Sequence, residues 1–461
     1  MTQPVRVEKL RARERIVVNV DRPAARWIGA LAVLSLFCWL AVLLAHHHER
    51  EDWNAAGRLA WLVTILTAVA LIARGIFLGR PVTAAHATAA MGVLLVGLGA
   101  RLLSYDVLGN AFVAGAGLVL MWPTTARPQP YDLPRVWRLV NTSAADPLAP
   151  FAMQSLKSYY FNADGTAAIA YRTRIGFAVV SADPIGDESQ FPQLVADFAA
   201  MCHARGWRII VLGCSERRLP LWRNDAVVGQ RLRRVPVGRD VVIDVRTFEM
   251  VGRRYRNLRQ AVQRTYNFGI TTEVVAEQDI DDALRNELVA VLLASQSGVR
   301  TERGFSMILD GALERRYPGI QLIIARDRDG VVQGFHRYAT AGRDITLDVP
   351  WRRPDAPNGI DERLSVDMIH EAKAVGAQRL SLAFAAFPEI FDNTNRNRLQ
   401  DLVYHAIHLL DSFIALESLY RYLRKFHALG GRRYVLLSLR HVAPAAIVLL
   451  SLEFAPRRRH L

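Results

Sequence analysis

Residues 321–384 read QLIIARDRDGVVQGFHRYATAGRDITLDVPWRRPDAPNGIDERLSVDMIHEAKAVGAQRLSLAF. An apolar run, an Asp-Gly turn signal and a second apolar run at 331–338 predict a β-hairpin, and 345–349 predicts a third strand. After a proline-rich loop, Asp361 begins a segment whose apolar residues recur at helical spacing. The chain then returns to an apolar strand at Arg379. This order predicts a mixed α/β (α+β) fold.

An earlier part of the chain repeats the same order of elements. A strand is expected at 175–181, a helix at 194–205 and a strand at 207–213, and a glycine ends the helix in both copies (Gly206 and Gly376). The copies lie about 170 residues apart, so a tandem of two related units is the economical interpretation. A strand meander that feeds a helix and a further strand is typical of GNAT-type acyltransferases. Neither copy has a Gly-x-Gly turn for a pyrophosphate, so we expect no coenzyme A and no other cofactor.

The composition restricts the class of protein. The chain has 461 residues, a net charge of +15 and a mean hydropathy of only +0.11, which excludes a transporter that lies mostly in the membrane. The positive charge favours anionic partners, either nucleic acid or lipid headgroups, although a merely soluble basic protein has the same composition. The three cysteines, Cys38, Cys202 and Cys214, form no CxxC pair and are expected to be buried and reduced.

The first third of the sequence predicts a helical transmembrane region at 27–122. Apolar runs occur at 27–45, 59–78, 83–103 and 107–122, and a helix needs about 20 apolar residues to span a bilayer. The third and fourth runs are rich in Gly and Ala, which allow helices to approach closely in lipid.

The charges around these runs predict their orientation. The leader 1–26 is rich in arginine, and the connection after the first run balances its arginines with acidic residues. The positive-inside rule therefore places the N-terminus in the cytosol, and four crossings return the rest of the chain there. The expected location is the cell membrane, multi-pass, with a cytosolic C-terminal domain.

The remaining segments follow from composition and from the repeat. We expect a proline-rich linker at 123–150, a first GNAT-like unit at 151–245, a second unit with a basic helix at 246–440, and an apolar and basic tail at 441–461. The triplet His46 to His48 is interpreted as a polar cap at a membrane edge and not as a metal site, and no metal site is expected.

A series of motifs between Phe151 and Leu437 resembles the C-terminal domain of lysyl-phosphatidylglycerol synthases, also called aminoacyl-phosphatidylglycerol synthases. The motifs follow one another in the family order: KSYYF at 157–161, SADPIGD at 181–187, RNLR at 256–259, YNFG at 266–269, ERGFS at 302–306, TLD at 346–348, APNG at 356–359, LRKF at 423–426 and RY at 433–434.

The resemblance implies two tandem GNAT-like units that take an aminoacyl group, possibly lysyl, from aminoacyl-tRNA and esterify it to phosphatidylglycerol. It also implies a role in resistance to cationic antimicrobial peptides. The sequence departs from the family pattern at Trp351, where the family usually has Arg, and at 427–431, where a Pro and a Trp are missing. The membrane region is also shorter than in the best-known members.

The chemistry of ester transfer suggests catalytic residues in the second unit. The reaction must deprotonate a hydroxyl and stabilise an oxyanion. Asp348, at the end of a predicted strand, is a candidate for the base or for the carboxylate that holds the ammonium group of the amino acid. It could equally cap a loop. Arg352 and Arg353 are candidates to contact phosphate, or they form a solvated charge pair.

Further residues are predicted to bind the substrates. Asp361 could recognise substrate or cap its helix, and Glu302 could recognise a cationic amino acid or form a surface ion pair. Lys425 and Arg433 belong to a basic cluster that could hold the tRNA end. The arginines expected to bind tRNA or lipid headgroups, unless they form a solvated helix face, are Arg253, Arg254, Arg256, Arg259 and Arg424.

Two alternatives to this function remain open at the level of sequence. The same fold could act on another envelope acceptor, or it could be a non-catalytic basic membrane scaffold. The absence of a P-loop, of zinc-ligand spacing and of a Gly-x-Ser-x-Gly elbow argues against ATPases, metallohydrolases and serine hydrolases.

Overall fold

The computed structural model describes part of the chain, in two compact units. The described residues are 16–18, 26–35, 38–39, 55–143, 146–295, 301–303, 305, 309–388 and 416–456. Most of the basic leader, the triplet His46 to His48 and the arginines 457–459 lie outside them. The first unit runs to Ala126 and includes 173–178 and 199–208, and the second unit comprises the rest.

The first unit consists mainly of apolar helices. They are α1 (Arg26–Ser35), α2 (Ala55–Phe77), α3 (Ala84–Leu102) and α4 (Asp106–Leu120). Among the described residues, two helical segments are long and apolar enough to cross a membrane, Leu59–Phe77 and Ala84–Leu102. The second and third predicted runs are therefore helices of spanning length. The first run is only partly described, and α4 is shorter than a full span.

Glycine brings these helices close together, as the sequence predicted. A Cβ on Gly109 would lie 2.8 Å from the carbonyl oxygen of Gly97, and a Cβ on Gly117 would lie 2.7 Å from that of Ala68. Any side chain at these positions would force α4 away from α3 and α2. Small residues at helix contacts let the backbones approach closely, so that van der Waals packing can hold the helices together.

The second unit contains a large mixed sheet. Its strands are β3 (Ser158–Phe161), β4 (Ala167–Arg174), β5 (Phe177–Ser181), β6 (Ile185–Gly186), β7 (Arg208–Ser215), β8 (Arg233–Asp244), β9 (Thr271–Ala276), β11 (Ile320–Arg326), β12 (Val332–Ala341), β13 (Asp344–Arg352), β14 (Arg379–Ala386) and β15 (Leu429–Leu437). The strand order is β3-β4-β5-β7-β15-β8-β14-β13-β12-β11-β9, and β6 pairs with β4. Two short pairs lie outside it, β1 (Ile16–Val18) with β2 (Val82–Thr83) and β10 (Thr301–Arg303) with β16 (Phe454–Pro456).

The described helices of the second unit include the two predicted within the repeat, at 194–205 and from Asp361. They are α5 (Leu133–Thr142), α6 (Phe191–Ala204), α7 (Asp225–Val228), α8 (Arg256–Asn267), α9 (Asp282–Ser295), α10 (Ile360–Ala374), α11 (Leu416–Arg424) and α12 (Val442–Glu453). The order β5-α6-β7 recurs as β13-α10-β14, which confirms the predicted repeat. As predicted, Leu364, Met368 and Ala372 of α10 are fully buried.

The strand that follows each copy in sequence pairs with a strand of the other copy. β8 follows the first copy in sequence but pairs antiparallel with β14 of the second. β15 follows the second copy but pairs antiparallel with β7 of the first and with β8. Within the second copy, β13 and β14 are parallel. This reciprocal pairing joins the two copies into one sheet.

The structure differs from the predicted linker at 123–150. Residues 133–142 form α5, with Pro134 in its first turn, where a proline costs no hydrogen bond. Val136, Leu139 and Val140 are buried and pack with Phe151 in a hydrophobic cluster. The density of prolines hid this amphipathic helix from the sequence analysis.

Candidate functional site

Asp361 lies at the start of α10. Among the predicted catalytic and substrate-binding residues whose side chains are described, it has the most accessible carboxylate. Gly359 precedes the helix with φ +106°, and Asp361 is in its first turn. Nε2 of His336, on β12, lies 3.2 Å from Oδ1 of Asp361, and Nε of Arg352, on β13, lies 3.3 Å from Oδ2. The Asp361 side chain is 26% exposed and that of His336 is fully buried. The sheet and the helix thus present one carboxylate between a buried imidazole and a guanidinium.

A chain of buried polar groups continues behind His336. Nδ1 of His336 lies 3.4 Å from the hydroxyl of Tyr338, which lies 3.4 Å from Oγ of Ser365. Ser365 is in turn hydrogen-bonded to the hydroxyl of Tyr422. An ionised carboxylate only accepts hydrogen bonds, so Asp361 selects the tautomer with the proton on Nε2. Nδ1 is then left to accept from Tyr338.

The surroundings keep Asp361 ionised. Burial favours the neutral acid, but the hydrogen bond from His336 and the charges of Arg352 and Lys425 outweigh it and lower the pKa of Asp361. A carboxylate with a lowered pKa is a poor base at neutral pH. It is well suited to hold an ammonium group or to orient a hydroxyl.

Asp348 lies in a closed ion cluster. Its Oδ2 accepts a hydrogen bond from Nη1 of Arg337 at 2.8 Å, and its Oδ1 accepts one from the backbone nitrogen of Leu309 at 2.8 Å. Arg337 also binds Glu277, and the three side chains are fully buried. Burial raises the pKa of Asp348 to about 6, against the opposing effect of Arg337. Both oxygens of Asp348 are therefore already engaged inside the protein.

Arg433 also lies in the interior. Its guanidinium donates to Asp146 at 2.7 Å, to Asp183 at 3.3 Å and to Asp240 at 2.9 Å. Burial opposes the charge of Arg433, but these carboxylates raise its pKa. Burial raises the pKa of Asp183 to about 6 in spite of the guanidinium. The structure thus places Arg433 among carboxylates and not on an open basic surface.

The other predicted site residues of the second unit are dispersed. Lys425 binds Glu362, the neighbour of Asp361 on α10, so it lies beside the Asp361 site. Arg353 is tethered by its Nε to the carbonyl of Val332 at 2.7 Å. Glu302 lies in β10, and its side chain is outside the described part of the structure.

The predicted basic helix is present as α8 with the short turn before it. Arg253, Arg254 and Arg256 are exposed, whereas Arg259 donates to the carbonyls of Met250 and Gly252 and so holds its own loop. Arg424 is the last residue of α11. These roles stay predictions.

Sequence reasoning missed His336, Arg337, Tyr338 and Tyr422. The first three lie on β12, where polar residues in the sequence are typical of a half-exposed strand, although eight of its ten residues are buried. The adjacent His336 and Arg337 between the aromatic Phe335 and Tyr338 were the available signal, because neither His nor Arg is often fully buried without a partner. No group of His, Cys, Asp and Glu in the described part of the chain is arranged to hold a metal ion.

Comparison with known proteins places these residues in a family. A family profile described as "Phosphatidylglycerol lysyltransferase, C-terminal" matches residues 137–437. The chain is 67% identical over 457 residues to the MprF-like domain protein Rv1619 of Mycobacterium tuberculosis, which covers 99% of this chain and 94% of that protein. It is 31% identical over 260 residues to the lysylphosphatidylglycerol biosynthesis bifunctional protein LysX of Rhodococcus jostii. That match covers 56% of this chain and only 23% of LysX.

Solved structures share the fold of the second unit. The structure of L-PGS from Bacillus licheniformis has a TM-score of 0.60 at 20% identity and covers 72% of this chain and 98% of that one. The C-terminal domain of a putative lysylphosphatidylglycerol synthetase from Agrobacterium fabrum has a TM-score of 0.59 at 22% identity, with coverages of 72% and 99%. At these identities the similarity establishes the fold alone.

Proposed function

This chain belongs to the family of the phosphatidylglycerol lysyltransferase C-terminal domain, and we propose that it moves an aminoacyl group, possibly lysyl, from aminoacyl-tRNA to phosphatidylglycerol. The observation that carries the proposal is the family match over 137–437, which includes both copies of the repeat and the Asp361 site. The family is one of transferases. The donor, the acceptor and the residue roles are our proposal for this chain.

The reaction exchanges one ester for another. The lipid hydroxyl oxygen attacks the aminoacyl carbonyl carbon, the bond to the ribose oxygen of the tRNA breaks, and the hydroxyl proton ends on that ribose oxygen. Asp361 holds the α-ammonium of the aminoacyl group. Arg352, whose side chain is 42% exposed, offers a positive charge to the developing oxyanion.

Supporting roles follow from the contacts of the other residues. His336 is a positioning residue, because it is buried and touches Asp361. Asp348 is better suited to orienting Arg337 than to contacting substrate, since both of its oxygens are engaged. Lys425, next to the site through Glu362, is placed to meet a phosphate.

Inverted membrane vesicles that contain the protein provide the direct test. Vesicles are incubated with tRNA charged with single radiolabelled amino acids, and the lipids are resolved by thin-layer chromatography with and without RNase. We expect a labelled phosphatidylglycerol spot that RNase abolishes. Label should appear in inverted vesicles and not in right-side-out ones, because we propose that the C-terminal domain is cytosolic. A label on another acceptor, or none beside an active family member, would contradict the proposal.

The substitution Asp361→Asn tests the proposed site. We expect a loss of transfer of about a hundredfold or more, since the amide keeps the shape but not the charge of the carboxylate. Asp329→Asn, in the exposed turn between β11 and β12, is the matched control and should keep full activity. Retained activity in Asp361→Asn, with thermal unfolding like that of the control, would remove the role assigned to Asp361.

A further inference from the structure

One face of α8 carries amide side chains that neither the family match nor the predicted arginines explain. It lines an open depression of about 540 Å³. The lining residues are Asn257, Gln260, Gln263, Arg264, Asn267 and Lys425. The five α8 residues lie along one side of the helix at spacings of three or four, with Gln263 and Arg264 adjacent, and we call them the α8 amide stripe.

The depression leads to the Asp361 site. Lys425 lines it and is bound to Glu362, whose neighbour on α10 is Asp361. The start of α10 also packs directly on α8, because a Cβ on Gly359 would lie 2.4 Å from the carbonyl oxygen of Ala261. A ligand on the stripe would therefore have one end beside Asp361.

The charge of this face fits a polyanion. Residues 253–269 contain five arginines and no acidic residue. In the described structure Arg256 and Arg264 have no carboxylate within ion-pair distance, and the amides of Asn257 and Gln260 make no hydrogen bond. Phe268, at the end of the helix, is 58% exposed, and Tyr266 is 52% exposed with one ring face covered by the guanidinium of Arg363, 3.5 Å from the ring centroid.

We infer that the α8 amide stripe binds the single-stranded 3′ end of the aminoacyl-tRNA and directs its ester to Asp361. Amides both donate and accept hydrogen bonds, so they suit base edges and ribose hydroxyls, and exposed aromatic rings suit unstacked bases. The stripe from Asn257 to Asn267 is about 15 Å long, enough for about four stacked nucleotides. A lipid headgroup would contact one or two cations and leave most of the α8 amide stripe unoccupied. The inference rests on the proposed function, because it assigns a surface to the proposed donor.

The test separates RNA from lipid as the occupant. The full-length protein in detergent is titrated with an uncharged acceptor-stem microhelix that has a single-stranded 3′ end, and separately with short-chain phosphatidylglycerol. In the double variant Asn257→Ala/Gln260→Ala we expect about tenfold weaker RNA binding, an unchanged salt dependence and an unchanged affinity for the lipid. The KM for charged tRNA should rise by a similar factor without a change in kcat.

Two further variants calibrate this result. Arg264→Gln removes a cation and should also lower the slope of RNA affinity against salt by about one ion. Gln193→Ala, on the exposed side of α6, should change neither ligand's affinity. Unchanged RNA affinity in the double variant, or a loss of lipid affinity instead, would overturn the inference and leave the proposed function standing. Failure of the unsubstituted protein to bind the microhelix or to use charged tRNA would overturn both.

Discussion

At the scale of single residues, Asp348 and Asp361 show how the environment gives two carboxylates of the same chemistry different pKa values. Burial dominates at Asp348 and raises its pKa to about 6, whereas hydrogen bonding and nearby cations dominate at Asp361 and lower its pKa. The sequence predicted a role for both residues. The contacts favour Asp361 as the one that meets substrate, because it alone of the two has an exposed part.

Arg337 is expected to be essential for stability. Arg337→Met leaves Glu277 and Asp348 buried without their partner, and breaking such a buried cluster costs about 3–5 kcal/mol of the free energy of unfolding. The matched control is Arg326→Met. Arg326 also contacts two glutamates, Glu273 and Glu287, but at the surface, where the loss is expected to be below about 1 kcal/mol. Urea unfolding monitors both, and equal losses would contradict the assignment.

Lys157 predicts a pH dependence of stability. It is fully buried, its Nζ donates to the carbonyl of Phe151 and to Oγ of Ser181, and burial lowers its pKa to about 7. Between pH 7 and 10 the unfolded chain binds this proton and the folded chain does not. Stability therefore rises with pH by about 1.4 kcal/mol per unit and is lost as the pH falls toward 7.

The substitution Lys157→Met should remove this rise. The melting temperatures of the variant and the unsubstituted protein are compared from pH 7 to 10, with the exposed Lys373→Met as the control. The melting temperature of Lys157→Met should exceed that of the unsubstituted protein most at pH 7, and this difference should shrink as the pH increases. A gap independent of pH would mean that Lys157 titrates normally.

At the scale of elements, the contact of α8 with the start of α10 positions the site, and Gly359 allows it. Gly359→Ala combines a positive φ with a clash against the Ala261 carbonyl. We expect it to displace Asp361, to reduce transfer at least tenfold and to destabilise by about 2–3 kcal/mol. Gly376→Ala has a similar positive φ but open space around the Cβ, so it should cost only about 1 kcal/mol and leave activity intact. Similar effects of both would argue against the close packing.

The order of these elements was readable from the sequence, but the contacts between them were not. The hairpin at β11 and β12, the strand β13 and the helix α10 follow from turn chemistry and from the period of the apolar residues, which act locally. The helix α5 was missed because Pro134 and the prolines on either side of the helix resemble those of a linker. The α8 amide stripe was missed because helical periodicity was assessed on apolar residues, and amides on an exposed helix face look like an ordinary solvated face.

At the scale of the whole molecule, the reciprocal pairing of β8 and β15 predicts that the two copies of the repeat unfold together. Native-state hydrogen exchange by mass spectrometry should give the same opening free energy, within about 1 kcal/mol, for β5 and β7 as for β13 and β14. Truncation of the chain before β15 should lower protection in both copies, since β15 pairs with β7 and β8. Protection that persists in the first copy would show that the copies fold independently.

The amino-acid sequence was sufficient for the class of fold, the repeat, two apolar helices of spanning length and the family, because each depends on patterns that are local or that recur along the chain. Only the tertiary structure decided which carboxylate is exposed, which cations are already paired and which strand completes which copy. Each of these depends on residues that are far apart in sequence. Asp361 meets His336 and Arg352, and Arg433 meets Asp146 and Asp240, only when the sheet is assembled. Burial and pairing set the charge and the reach of these groups, and both are properties of the folded chain.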